Sequence, residues 1–256
     1  MIRSSEKIDR DEFLLKVREA LGKKSTLTDK TAIMKYFSTS QEELNIRAQE
    51  IKDRCQANKE TLAIKLEEQA IKAKWNVTRV GSIQKACQYV TKIVNEKKAK
   101  LLLYSHYPIL EKMDLDNYMS NTDVVLKRDS LPDAFGFSEK EVARHRKKEE
   151  AFSSDIGLTG VDYAIAETGT CVLIPQHGIS RLVSLVPPVH VAFVGLDQIV
   201  ETADDVFTLR RLELFQKGDI GSYMNFISGP SRTADIEQTI TIGVHGPKEA
   251  HMVIVD

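Results

Sequence analysis

Cysteine is scarce in this sequence and poorly placed for clustering. The three cysteines, Cys55, Cys87 and Cys171, form neither a CxxC pair nor a tight ligand set, so no iron–sulfur cluster or structural zinc is expected within the chain. An excess of charge is missing as well. Thirty-six Lys and Arg against 37 Asp and Glu leave a formal charge of −1, too little to draw the chain to nucleic acid or to an anionic membrane. No apolar run approaches the roughly 20 residues that a membrane-spanning helix needs. The opening MIRSSEKIDRDEF carries no apolar leader core. The expectation is a cytoplasmic protein without nucleic-acid partner or membrane insertion.

Proline and glycine are missing from the front of the chain. Before Trp75 there is no proline and one glycine, Gly22; all seven prolines and the other twelve glycines follow it. This asymmetry divides a helical extension, residues 1–74, from a turn-rich α/β body, residues 75–256. Asp9 and Glu12 form a capping-box pair for a first helix that Gly22 ends. From a second start at Ser40 and Glu43, the apolar series Leu44, Ala48, Ile51, Cys55, Leu62, Leu66, Ala70 and Ala73 predicts one long amphipathic helix to about Lys74. Beyond Trp75 the period alternates. Val77–Val80 reads as a strand, Ser82 caps a helix, and Lys100–Tyr104 returns to strand, a βαβ unit that favours a parallel sheet. Further strands are expected at 122–126, 163–166, 171–174, 189–194, 223–227, 239–244 and 252–255, with helices at 138–152 and 202–217. The basic run 144–148 reads as a solvated helix face.

What chemistry there is concentrates in three segments. In the first, Asp155 to Asp162 and then Ala166 to Thr170, Glu167 follows an apolar strand and precedes the Gly169 turn. That places it at a sheet rim, where it could act as base or nucleophile. Equally, Glu167, Thr168 and Thr170 could simply hydrogen-bond a tight turn. In the second, a strand runs into Ser228 and Gly229, and Pro230 suits a first helical position followed by Ser231, Arg232 and Thr233. Free amides, hydroxyls and a guanidinium suit a carboxylate or phosphate, with Asp235 and Glu237 to orient Arg232; an ordinary capped helix is the alternative. The third, Gly243-Val-His-Gly-Pro247, offers His245 at a strand end as an acid–base candidate. Arg181 and His190 are weaker candidates, and the spacing of His177, His190, His245 and His251 matches no tight metal site. The cysteines read as packing, with only Cys171, beside the Glu167 turn, worth a reactivity test.

Taken together, segments 162–170, 181–184, 187–191, 227–237 and 243–247 resemble the LUD (lactate-utilisation) domain family in the order and spacing of its C-type members. SerGlyProSerArgThrAlaAspIleGlu, residues 228–237, is the most specific part, and the likeness runs from about Trp75 to the end. The resemblance implies a NagB/RpiA/CoA-transferase-like fold, a mostly parallel sheet with helices on both faces. It also implies a part in bacterial oxidation of L-lactate to pyruvate, beside partner subunits that carry the iron–sulfur clusters. On that reading Arg232 grips lactate or a related small anion and Thr168, Gly169, Thr170, Arg181, Ser228, Gly229, Ser231, Thr233 and Asp235 shape the pocket. Glu167 or His245 takes the proton. The competing readings are a stand-alone enzyme of the sugar-phosphate isomerase, CoA-transferase or folate cyclo-ligase type, and a non-catalytic assembly subunit that docks through Ser40–Lys74.

Overall fold

The computed structural model describes residues 10–20, 39–129, 137–175, 179–218, 223–234 and 240–256. The chain forms two compact units, Met1–Glu43 and Leu44–Asp256. In the first, helix α1 spans Arg10–Ala20, and Ser40 Oγ accepts the Glu43 amide in the cap that the sequence announces.

The second unit is built on a six-stranded sheet. Its strands are β1 (Asn76–Val80), β2 (Leu101–Ser105), β3 (Val125–Asp129), β4 (Ile156–Gly160), β7 (Val189–Gly195) and β12 (Glu249–Val255), in the order β1-β12-β7-β4-β2-β3, all paired in parallel. The fold class is therefore α/β, as the alternating period implies. Successive side chains take opposite faces, and β4, β7 and β12 are buried on both because helices cover each face. Val189, Val191 and Phe193 meet helix α4 (Ile83–Lys97) and the short helices α5 (Pro108–Glu111) and α6 (Leu115–Met119). Ala192 and Val194 meet helix α3 (Lys59–Lys72) and Trp75. Farther along that second face, Leu103 packs with α7 (Phe137–Ser153) and α8 (Leu182–Leu185).

A second sheet lies on the α3 side, with strands β5 (Tyr163–Ile165), β6 (Thr170–Leu173), β8 (Ile199–Val200) and β9 (Asn225–Ile227) in the order β8-β5-β6-β9. Ala164, Cys171 and Leu173 point to the core shared with α3. Ile165 and Val172 point the other way, to α2 (Gln41–Ala57) and α9 (Ala203–Lys217).

Several expectations change here. The single helix expected over Ser40–Lys74 is two, α2 and α3, parted at Asn58, whose backbone leaves helical dihedrals (φ −109°, ψ 19°) while its side-chain amide adds a second donor to the Arg54 carbonyl. The strand expected at 122–126 is shifted to Val125–Asp129, and the strand β4 in the middle of the sheet was not expected at all. A helix expected to open at Pro230 is instead strand β10 (Arg232–Ala234), paired antiparallel with β11 (Ile240–Ile242). The compositional break at Trp75 falls inside the second compact unit, with Leu62, Leu66 and Ala70 of α3 in its core.

Candidate functional site

The two turns singled out in the sequence meet. Strands β6 and β9 pair with Cys171 opposite Ile227, which brings Thr170 and Ser228 side by side; their hydroxyls share a hydrogen bond of 2.7 Å. A second bond of 2.7 Å links Thr170 to Thr168, so three hydroxyls form a chain. What fills the space between the turns is protein. Gly169, at φ +64°, lies so close to α3 that an added Cβ would stand 2.3 Å from the Ala70 nitrogen. At Gly229, φ +88°, a Cβ would stand 2.0 Å from the Ala73 carbonyl oxygen. The Trp75 indole completes the closure by donating to the Gly169 carbonyl at 3.0 Å. Glu167 follows β5 of the smaller sheet rather than a strand of the parallel one. Its Oε1 accepts the Ala203 amide at 3.1 Å, which seats the carboxylate on the positive end of α9.

Arg232 lies next to this bridge. Its guanidinium is exposed and sits 3.5 Å from the Ser228 carbonyl, and among the described residues no carboxylate pairs with it. The amides expected to be free at a helix start are engaged: Ser231 N–H donates to the Pro247 carbonyl, and the Ser231 carbonyl accepts from Gly243. Ser231 Oγ accepts the amide of exposed His245 at 3.3 Å. Thr233 follows in β10 opposite Thr241, while Asp235 and Glu237 lie outside the described residues. The Arg181 guanidinium lies 5.1 Å from the centre of the Tyr223 ring. The Ser231–His245 group sits just before β12, and the Lys248 and Glu249 amides bond Pro188, just before β7. This is the N-terminal edge of the parallel sheet, opposite the edge where open α/β sheets commonly bind ligands.

The remaining candidates have structural partners. His190, on β7, is fully buried and shares a 2.8 Å hydrogen bond with Thr159; burial lowers its pKa to about 3, so it stays neutral. His251 bonds Tyr89 and Glu249. The Cys171 thiol is buried and its pKa is pushed well up by desolvation, which makes it a poor nucleophile. His177 lies outside the described residues.

One arrangement was only half legible. Asp162 stands past the C-terminal end of β4, where its Oδ2 accepts the Tyr107 hydroxyl at 3.0 Å and the Ile174 amide at 2.7 Å. Burial holds its carboxyl above the usual carboxylate range, against the opposing pull of those hydrogen bonds. Beside it opens a cavity of about 760 Å³ that the sequence did not announce, because its walls come from α2, β8 and α9 as well as from Asp162.

An all-parallel six-stranded sheet, helices on both faces and a small mixed sheet packed on one of them define an α/β protein of the open-sheet class. The LUD domain profile matches residues 63–255. The chain belongs to the LUD domain family. It is 32% identical over 181 residues to lactate utilization protein C of Halalkalibacterium halodurans, which covers 69% of this chain and 79% of that protein. It is also 26% identical over 258 residues to lactate utilization protein B of Shouchella clausii, covering 84% of this chain and 52% of the relative, so it spans about half of that longer protein. A solved DUF162 family protein from Deinococcus radiodurans shares the fold, with a TM-score of 0.52 at 20% identity over 77% of this chain and 98% of that one. Among the described residues no helix is long and apolar enough to cross a membrane.

Proposed function

We propose that this chain serves a bacterial system that oxidises L-lactate to pyruvate, acting with iron–sulfur partner subunits and holding lactate or a related small carboxylate at Arg232. The names of the relatives support the system; one observation carries the site. Arg232 presents an exposed guanidinium without a carboxylate partner among the described residues, next to the Ser231 hydroxyl and the His245 backbone. A guanidinium binds a carboxylate through two parallel N–H donors, a geometry that an ammonium cannot copy. His245 is then the proton acceptor for the lactate hydroxyl, since Glu167 is committed to the start of α9. Thr168, Thr170 and Ser228 hold the neighbouring turns in place through their hydroxyl chain. The α C–H bond of the hydroxyl-bearing carbon breaks in the same oxidation, and its hydrogen leaves as a hydride equivalent, two electrons and one proton, to an acceptor in the partner subunits.

The test is lactate binding by calorimetry together with growth on lactate. Arg232→Ala is expected to weaken binding at least about tenfold, the scale of one charge-assisted pair, and Arg232→Lys to restore only part of it. If both variants bind lactate and support growth like the unsubstituted chain, the site is not at Arg232.

A further inference from the structure

The parallel sheet delivers all of its C-terminal strand ends to one rim, and the chain reverses direction there. From β2 it moves out to β3 on one side, with α5 and α6 between, and then returns through α7 to β4 on the other. Open sheets leave a crevice at such a reversal. Here Tyr107 fills the crevice itself: a Cβ on Gly160 would stand 2.7 Å from its ring, and its hydroxyl is tied to Asp162. The open volume, about 760 Å³, lies immediately beside, within the range of small-molecule and cofactor sites.

The walls of that volume have two characters. Leu196, Ile199, Leu209 and Leu212 give it an apolar floor. Asp162 contributes a carboxylate of which Oδ2 carries two hydrogen bonds, while among the described residues none reaches Oδ1. Around the walls and mouth stand Asp53 and Asp197 with Lys52 and Lys217, while Glu213 is held by Arg210 and the Tyr163 hydroxyl, so counting Asp162 three carboxylates stand against two ammonium groups. That balance disfavours a small free anion such as lactate or phosphate. A wholly apolar occupant would strip water from Oδ1 and offer no donor in return, which is unfavourable for a charged oxygen. The occupant must therefore bring hydroxyl or N–H donors and a flat apolar face on one uncharged body.

We infer that this cavity binds a nucleoside, with the sugar diol donating to Asp162 and the base lying on the Leu196, Ile199, Leu209 and Leu212 floor. A carboxylate at the end of a parallel strand is a common acceptor for ribose hydroxyls in open α/β sheets. Burial raises the Asp162 pKa despite the hydrogen bonds from Ile174 and Tyr107, so donors brought by a ligand would stabilise a carboxylate that desolvation penalises. The site stands apart from the Arg232 cluster, which occupies the opposite edge of the sheet, so either can fail without the other.

Adenosine and 2′,3′-dideoxyadenosine are the probes, titrated into the full chain and followed by methyl NMR and calorimetry, with L-lactate and inorganic phosphate for contrast. Adenosine is expected to bind saturably and to shift the methyls of Leu196, Ile199, Leu209 and Leu212. The dideoxy compound, lacking the diol, is expected to bind at least about tenfold more weakly, as the loss of hydrogen bonds to a charged group implies. Asp162→Asn should narrow that gap. Equal binding of the two nucleosides, no saturable shift at those methyls, or the same shifts produced by lactate or phosphate would overturn the inference, and none of these readings depends on the variant folding.

Discussion

At the scale of single residues, glycine separates the positions where the backbone needs freedom from those where packing forbids a side chain. Gly169 and Gly218 have similar positive φ values, +64° and +73°, yet their surroundings differ completely. At Gly218, the C-cap of α9, an added Cβ would meet nothing within 4 Å. At Gly169 it would strike the backbone of Gln69 and Ala70. Gly218→Ala should therefore cost only the left-handed backbone penalty, about 1–2 kcal/mol. Gly169→Ala adds overpacking against a helix that cannot yield locally, for a total of about 2–5 kcal/mol. Urea denaturation of the two variants checks the difference; equal losses would mean that α3 does not press on the Gly169 turn. The sequence marks Gly169 as a turn glycine, but the helix that presses on it is a hundred residues away in the chain and leaves no local trace.

Elements were legible where their signals are local. The Ser82 cap, with its hydroxyl accepting Lys85 N–H, and the helix over Ala203–Lys217 follow from short-range pattern. Elements set by distant pairing were not. Strand β4 is masked by Gly157 and Gly160, residues that weaken a strand reading, and tertiary structure explains both. A Cβ at Gly157 would stand 1.9 Å from the Val183 carbonyl oxygen, and Gly160 gives room to the Tyr107 ring. Likewise the segment opening at Ser228 has every local mark of a helix start, and pairing with β11, Ile242 opposite Arg232, overrides it. The candidate site shows the same division: Thr170 and Ser228 were read as turn residues and do meet, whereas the part of α3 that fills the gap between them was assigned to a separate extension. Local origin also permits a prediction. Thr202 caps α9 by accepting Asp205 N–H, and Asp205 returns the bond to Thr202 N–H. Thr202→Ala should destabilise the protein by about 1 kcal/mol, and Thr202→Ser should be near neutral. Thermal melts of the pair would decide, since a loss shared by both variants would point to the methyl group rather than the cap.

At the scale of the whole molecule, the topology places the last strand inside the sheet. Strand β12 inserts between β1 and β7, which buries His251 along with His190 in the middle of the fold. Burial is the largest cause of the lowered pKa at both imidazoles, and the Glu249 hydrogen bond opposes it only at His251. The sign follows from proton counting. In the unfolded chain a histidine protonates near 6.5, while His190 in the native state resists down to about 3. Between those values the unfolded chain holds a proton that the native state lacks, so stability is fully present above about pH 6.5 and falls as the pH drops through that window. The slope approaches about 1.4 kcal/mol per pH unit for one such group, which makes a loss of roughly 2 kcal/mol between pH 7 and pH 5 from His190 alone. Replacing it by glutamine keeps a polar partner for Thr159 and removes the titration. The drop in unfolding free energy from pH 7 to pH 5 should therefore be smaller in His190→Gln than in the unsubstituted chain, whatever the variant's stability at pH 7. The imidazole signals of His190 should also remain those of the neutral ring at pH 5. Identical drops, or a ring that protonates near pH 6, would mean that the centre of the sheet admits water and charge more readily than its packing implies.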